Sequence, residues 1–196
     1  MDKISQILRN SEAINLLQSR VHETYKERDK NQESFKQWQQ ACLDFHNYPD
    51  DYFFPNGEKQ IQRVKKGHAD AISDALFFLL ADPVHFRSGY LKETLWRLVP
   101  HWSLSEQQKT MIENAALAYL HKKMRRDFWY MCRAMAVVGG QQFWMDVESR
   151  LTCGDLLIAK RASYLFAYRF GVNDGEMLHR KVSLETFMLK YQNRSK

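Results

Sequence analysis

Two patterns in this chain place side chains that could do chemistry. In "RVKKGH", Arg63 to His68, an imidazole follows a guanidinium by five positions. A histidine near its ordinary pKa passes protons as general acid or base, and an arginine steadies charge building on a scissile phosphate. Together the two groups could act on a phosphate ester. In "LHKKMRRDFWYMCRAM", Leu120 to Met135, four cations fall within five residues and three aromatics follow at once. There the cations would neutralise phosphates or carboxylates, while aromatic faces stack on bases or anchor a protein contact.

Each pattern also has a structural explanation. His68 shares an apolar stripe with Val64 and Ile72, the setting of a buried or groove-lining histidine. Lys122 and Lys123 fall where one helix ends, and cations there complement the helix dipole by about 0.3–1 kcal/mol each. Asp127 stands where the next helix would take its N-cap. Phe128 and Cys132 face one side of that helix, while Trp129 and Arg133, four apart, could stack as a cation–π pair. The alternative is a binding face made of Lys122, Lys123, Arg125, Arg126, Trp129 and Arg133, joined by Lys160 and Arg161.

A third candidate is the segment "NYPDDYFFPNG", whose two prolines, acids and Asn-Gly read as a loop. Tyr48, Tyr52, Phe53 and Phe54 surround Asp50 and Asp51 there. Aromatic anchors ringed by acids suit an interface with a basic protein. The competing expectation is that Phe53 and Phe54 tuck back to cap the core.

Other chemistries find no support. The seven histidines show no HExxH or other metal spacing, and there is no Gly-x-Ser-x-Gly and no phosphate-cradling glycine loop. Cys42, Cys132 and Cys153 are odd in number and free of CxxC spacing, which argues for a reduced, cytoplasmic protein. The opening "MDKISQILRN" has no apolar run fit for a signal peptide, and no 18-residue apolar stretch follows, so no membrane partner is expected. We expect no catalytic residues, no metal and no cofactor. Of the net charge of +6, the residues through Leu98 contribute nothing, with 14 Lys/Arg against 14 Asp/Glu. From Val99 onward the count is 15 against 9, so one half carries the whole basic surplus.

The elements that must position these groups read as helices throughout. Apolar residues recur near 3.6 per turn, and no segment alternates long enough to be a strand. Ile4 to Tyr25 gives a first helical region with a candidate break at Asn10–Ser11, and Phe35, Trp38, Cys42 and Phe45 stripe a second. Ile61 to Leu79 reads as one helix ended by Asp82–Pro83; Phe86 to Leu98 reads as another, closed by Pro100. "SLSE", Ser103 to Glu106, reads as a capping box opening a helix that buries Ile112, Ala115, Ala116, Tyr119 and Leu120. Further stripes follow through Phe128–Met135, stopped by Gly139–Gly140, then Phe143–Leu151, Ile158–Phe166 and Leu178–Tyr191. With only 8 Gly and 4 Pro in 196 residues and 44% hydrophobic composition, the expectation is one all-α domain over residues 1–196. Residues 1–47 would cap a helical core at 58–171, and 172–196 would form a C-terminal helix. Short turns make neighbouring helices antiparallel, either stacked in pairs as a repeat or gathered in a globular bundle.

The stretch "LLADPVHFRSGYLKETLWRLVP", Leu79 to Pro100, resembles a HEAT-like repeat. Asp82 and Pro83 fill the helix-closing positions of that pattern, and Arg87 stands early in the next helix. "CRAMAVVGG" and "KRASYLFAYRFG" look like inner helices of further repeats, over about residues 58–171. The chain departs from the pattern in being unusually aromatic and in lacking a cleanly repeating consensus. The resemblance implies stacked helix pairs and a protein-binding role, with nucleic acid bound by some members. The specific expectation is a non-enzymatic cognate inhibitor of the immunity-protein type, one that neutralises a toxin or regulates an enzyme. The alternatives are a nucleic-acid binder using the basic half and, on Arg63 and His68 alone, a HEPN-like ribonuclease, whose Arg-x4-6-His spacing this segment resembles.

Overall fold

The computed structural model describes residues 2–169. Among the described residues there are ten α-helices and no strand, so the chain is all-α as its periodicity predicts. The helices are α1 (Lys3–Glu27), α2 (Gln32–His46), α3 (Asp50–Phe53), α4 (Glu58–Lys65), α5 (Ala69–Ala81), α6 (Ser88–Leu98), α7 (Glu106–Tyr119), α8 (Phe128–Val138), α9 (Gln141–Ser149) and α10 (Leu156–Arg169). A short 3-10 turn, Val99–His101, follows α6. None of the described helices is long and apolar enough to cross a membrane. The chain divides within α6, between Lys92 and Glu93, into two compact units. The helical region expected at Leu178–Tyr191 lies outside the described residues, as does 172–196.

In the first unit α1 packs on α2, α3 and α5, and α4 packs on α5. The Asp2 carboxylate opens α1 by accepting from the Ile4 and Ser5 amides. The expected break at Asn10–Ser11 is absent. Asn10 accepts from Gln6, and Ser11 and Asn15 both donate to the Val84 carbonyl, so these polar side chains find partners without leaving the helix. A buried carboxylate ties four segments together: Asp74 on α5 accepts from Lys3, from Asn56 Nδ2 at 2.5 Å and from Gln60 Nε2 at 2.8 Å.

The single helix expected over Ile61–Leu79 is two. Gly67 takes a φ of +80°, its amide bonds to the Val64 carbonyl, and the His68 amide bonds to that of Arg63 at 3.1 Å. That is a Schellman closure, the ending glycine allows at little cost because it has no Cβ. At the far end of α5, Asp82 turns left-handed (φ +47°), and its buried carboxylate receives Lys92 Nζ at 2.6 Å. Lys92 is buried too and also donates to the Pro83 carbonyl at 2.9 Å. Arg87, with φ +66°, precedes α6, so that helix starts at Ser88 and Phe86 stays outside it.

In the second unit α8 packs on α10, α7 and the 3-10 turn, while α9 packs on α10 and α7. The capping box sits two residues later than expected. Ser105 Oγ accepts from the Gln108 amide, and Gln108 Oε1 accepts from the Ser105 amide at 2.9 Å. Glutamine meets the same geometric need as glutamate there. The five residues expected to be buried on α7 and at its C-terminus, Ile112 to Leu120, are buried. At the end of α8 a Cβ on Gly139 would stand 2.7 Å from the Met135 carbonyl and 2.8 Å from Phe143 Cδ1, so only glycine fits.

Candidate functional site

The second unit brings cations and aromatics together on α8. Its inward face is apolar: Phe128, Met131, Cys132, Ala134 and Met135 are buried. That periodicity leaves Tyr130 and Arg133, three apart, to share another face. Arg133 carbon Cζ lies 4.9 Å from the Tyr130 ring centroid, so its cation–π partner is Tyr130 and not the expected Trp129. Arg97, from the last turn of α6, lies over the same ring at 4.4 Å and donates through Nη2 to Tyr130 Oη at 2.8 Å. That bond, reinforced by Glu93, holds the Arg97 guanidinium above its ordinary pKa.

Glu93 organises the group. Its Oε1 accepts from Arg97 Nη2 at 2.5 Å and its Oε2 from Arg126 Nε at 2.7 Å, so one carboxylate positions two guanidiniums. The carboxylate side chain is only 10% exposed, whereas those of Arg97 and Arg126 are 57% and 48% exposed. Arginines held this way have already lost part of their side-chain freedom. Neither α8 nor α10 contains an Asp or Glu, so these two packed helices set no carboxylate against the cations.

Several other residues of the expected basic face have structural employment. Arg125 is half-buried, 5.1 Å from the Tyr119 ring centroid, with Nε 3.8 Å from Asp127. Asp127 occupies the N-cap position but makes no cap bond with its side chain; fully buried, it accepts from Tyr119 Oη at 3.0 Å. Trp129 is half-buried against Phe128, Tyr164 and Tyr168. Lys122 is half-buried and Lys123 exposed. The carbonyl of Leu120, the residue that closes α7, is met by Arg161, whose Nη1 donates to it at 2.9 Å. Lys160 stands over the Tyr164 ring. Burial pushes the Cys132 thiol well up, so it is a packing group.

The acidic-aromatic segment is organised differently. Asp50–Phe53 is one helical turn where a loop was expected, with Asp50 and Asp51 exposed. Tyr52 stacks on Tyr48 at 4.4 Å, Phe53 packs edge-on to Phe45 and His85, and Phe54 is buried against Phe78. Phe54 therefore joins the core, Tyr48, Tyr52 and Phe53 are half-buried against other rings, and Asp50 and Asp51 face out.

At "RVKKGH" the Schellman turn takes His68 off the helix, where it is exposed and not on an apolar stripe. Arg63 forms a two-pronged pair with Asp70, at 2.8 and 2.9 Å, and a bond to Gln60. No group of three His, Cys, Asp or Glu able to hold a metal ion occurs among the described residues.

Sequence reasoning missed Glu93, Arg97 and Tyr130. The Glu93–Arg97 spacing of four was a readable signal, as was Tyr130–Arg133 at three. In comparisons with family models, curated proteins and solved structures, nothing matches this chain.

Proposed function

We propose that this chain is a non-catalytic protein-binding module of the cognate-inhibitor kind, holding an acidic surface of a toxin or enzyme against Arg97, Arg126, Tyr130 and Arg133. The observation that carries the reading is the Glu93 carboxylate fixing two half-exposed guanidiniums beside a third on one tyrosine ring. Arginine and tyrosine are the residues that dominate contact energies, and preorganisation lowers the entropy lost on docking. The inhibitor role itself rests on the HEAT-like resemblance of Leu79–Pro100, a likeness of fold and not of site. The free cysteines, with Cys132 buried, support a reducing cytoplasmic setting.

A nucleic-acid reading has one observation in its favour, the absence of Asp and Glu from α8 and α10. Against it, Tyr130 is covered by two guanidiniums and Trp129 by three aromatic rings, so neither is presented for base stacking. A pull-down from native extract with and without nuclease, at low and high salt, separates the two. One stoichiometric protein retained after nuclease supports the module reading. Recovery of nucleic acid alone, lost steeply with salt through counterion release, overturns it.

A further inference from the structure

Apart from the Arg97–Tyr130 face, we propose that the far half of the α1–α2 hairpin is a dimerisation arm, which packs on the same arm of a second copy of this chain to complete a four-helix core. Over residues 15–40 no residue is buried, although Ile14 and Ala41 at the two edges of that stretch are fully so. The stretch nevertheless carries Leu16, Leu17, Val21, Tyr25, Phe35 and Trp38. Leu16 is 72% exposed, Tyr25 51% and Phe35 41%.

The cause lies in how α1 is tied down. Its side-chain bonds to segments beyond α2 come from its N-terminal half: Lys3 donates to Asp74, and Ser11 and Asn15 donate to the Val84 carbonyl. Farther along, its partners are on α2. Arg20 pairs with Asp44 at 2.9 Å, and Tyr25 meets Trp38 edge-on with ring centroids 6.3 Å apart. An apolar stripe shared by two helices alone lacks the second layer that would close it.

Charge selects the occupant. Residues 15–44 hold five Lys/Arg and five Asp/Glu, so the arm is neutral in a chain of net charge +6. Its charges also pair internally, Arg20 with Asp44, Lys30 with Glu27 and Arg28 with Asp29. A strongly acidic or basic partner finds no opposing field there, whereas a second neutral arm meets no repulsion. A second copy also supplies the missing layer in the right number, because a two-fold axis sets two helices against two. The end of the arm carries the residue types that dominate such contacts. Arg28 carbon Cζ lies 3.9 Å from the Tyr25 ring centroid and 5.4 Å from that of Trp38, with Phe35 packed on the same indole.

The test is sedimentation of the full chain alone, with deuterium exchange to place the contact; no other partner is present, so the result is independent of the protein-binding reading. Wild type is expected to be a dimer at about 100 µM that dissociates on dilution and is indifferent to salt. Amide exchange over residues 15–40 slows as concentration rises. Phe35→Glu puts an acid in the first turn of α2, and Tyr25→Lys puts a base in the last turn of α1. Each charge suits its helix dipole while spoiling the apolar face. Each variant lowers the association constant at least about tenfold, because a symmetric contact feels the change twice. Leu156→Glu, at an exposed leucine of the second unit, leaves it unchanged. Denaturation midpoints of the dilute, dissociated chains show that the variants remain folded. A wild-type monomer at about 100 µM overturns the proposal, since that concentration exceeds what a specific homodimer needs. A dimer undiminished by both arm variants, one dispersed by salt, or slowed exchange confined to residues outside 15–40 overturns it equally.

Discussion

Residues 48–54 and 122–133 look alike as sequence, each a run of aromatics beside a block of one charge, and the fold uses them in opposite ways. In the first, Phe53 and Phe54 point inward, and Asp50 and Asp51 are left as solvated charges on a single helical turn. In the second, Phe128 goes to the core and Trp129 packs on α10, but Tyr130 stays half-exposed as a platform for arginines. The difference lies in what surrounds each aromatic. A phenylalanine has only apolar area to contribute, so burial decides its place. A tyrosine joins an apolar ring to a polar tip, and Arg97 gives the tip of Tyr130 a partner at the surface. Aromatic–charge composition thus marks candidates, and the hydrogen-bonding partner of the aromatic separates a core anchor from a surface site.

The strongest way to break this contrast is through the aromatics. Phe54→Ala should destabilise the chain by about 3–5 kcal/mol in denaturant unfolding, as expected for a fully buried ring, and a loss under about 1 would mean that the segment is not core. Tyr119→Phe removes the donor to buried Asp127 at the entrance of α8 and should cost about 1–3 kcal/mol by the same measurement. Smaller again is a pH effect in the first unit. Burial holds the His85 imidazole below its ordinary 6.5, assisted by Lys92, against the opposing effect of its bond to the Phe86 carbonyl. The unfolded chain then binds that proton more readily than the folded one. The stabilisation is full above about pH 6.5 and is lost as pH falls from there through the lower value of the folded state, a slope that His85→Gln should flatten in unfolding curves from about pH 7.5 downward. The smallest stability change belongs to the proposed contact residue itself: Arg133→Gln should leave the unfolding midpoint within about 0.5 kcal/mol of wild type, the range for surface substitutions.

Much of the fold was legible in the sequence because burial writes a period. The stripe from Ile112 to Leu120, the stop at Gly139 and the helix end at Asp82–Pro83 all follow from spacing and backbone chemistry. The misreadings came where a local device overrode the period. Gly67 closed α4 within an apolar stripe that continued past it, which moved His68 from an expected groove to the surface. Ser105 displaced Ser103 as the cap because Gln108 served as well as a glutamate. At the candidate site the cations of 122–126 were visible, but their destinations were not. Arg126 is claimed by Glu93 and the α7 carbonyl at Leu120 by Arg161, both through contacts more than thirty residues apart in the chain. No window of local sequence contains those pairings.

The measurement that bears most directly on the central claim compares three baits in the same nuclease-treated native extract: wild type, Arg97→Gln/Arg133→Gln, and Asp50→Asn/Asp51→Asn. The account predicts that wild type and the aspartate variant retain the same stoichiometric protein, and that the arginine variant, folded to the same midpoint, loses it. Retention by the arginine variant with loss from the aspartate variant would contradict the account and move the working surface to the first unit.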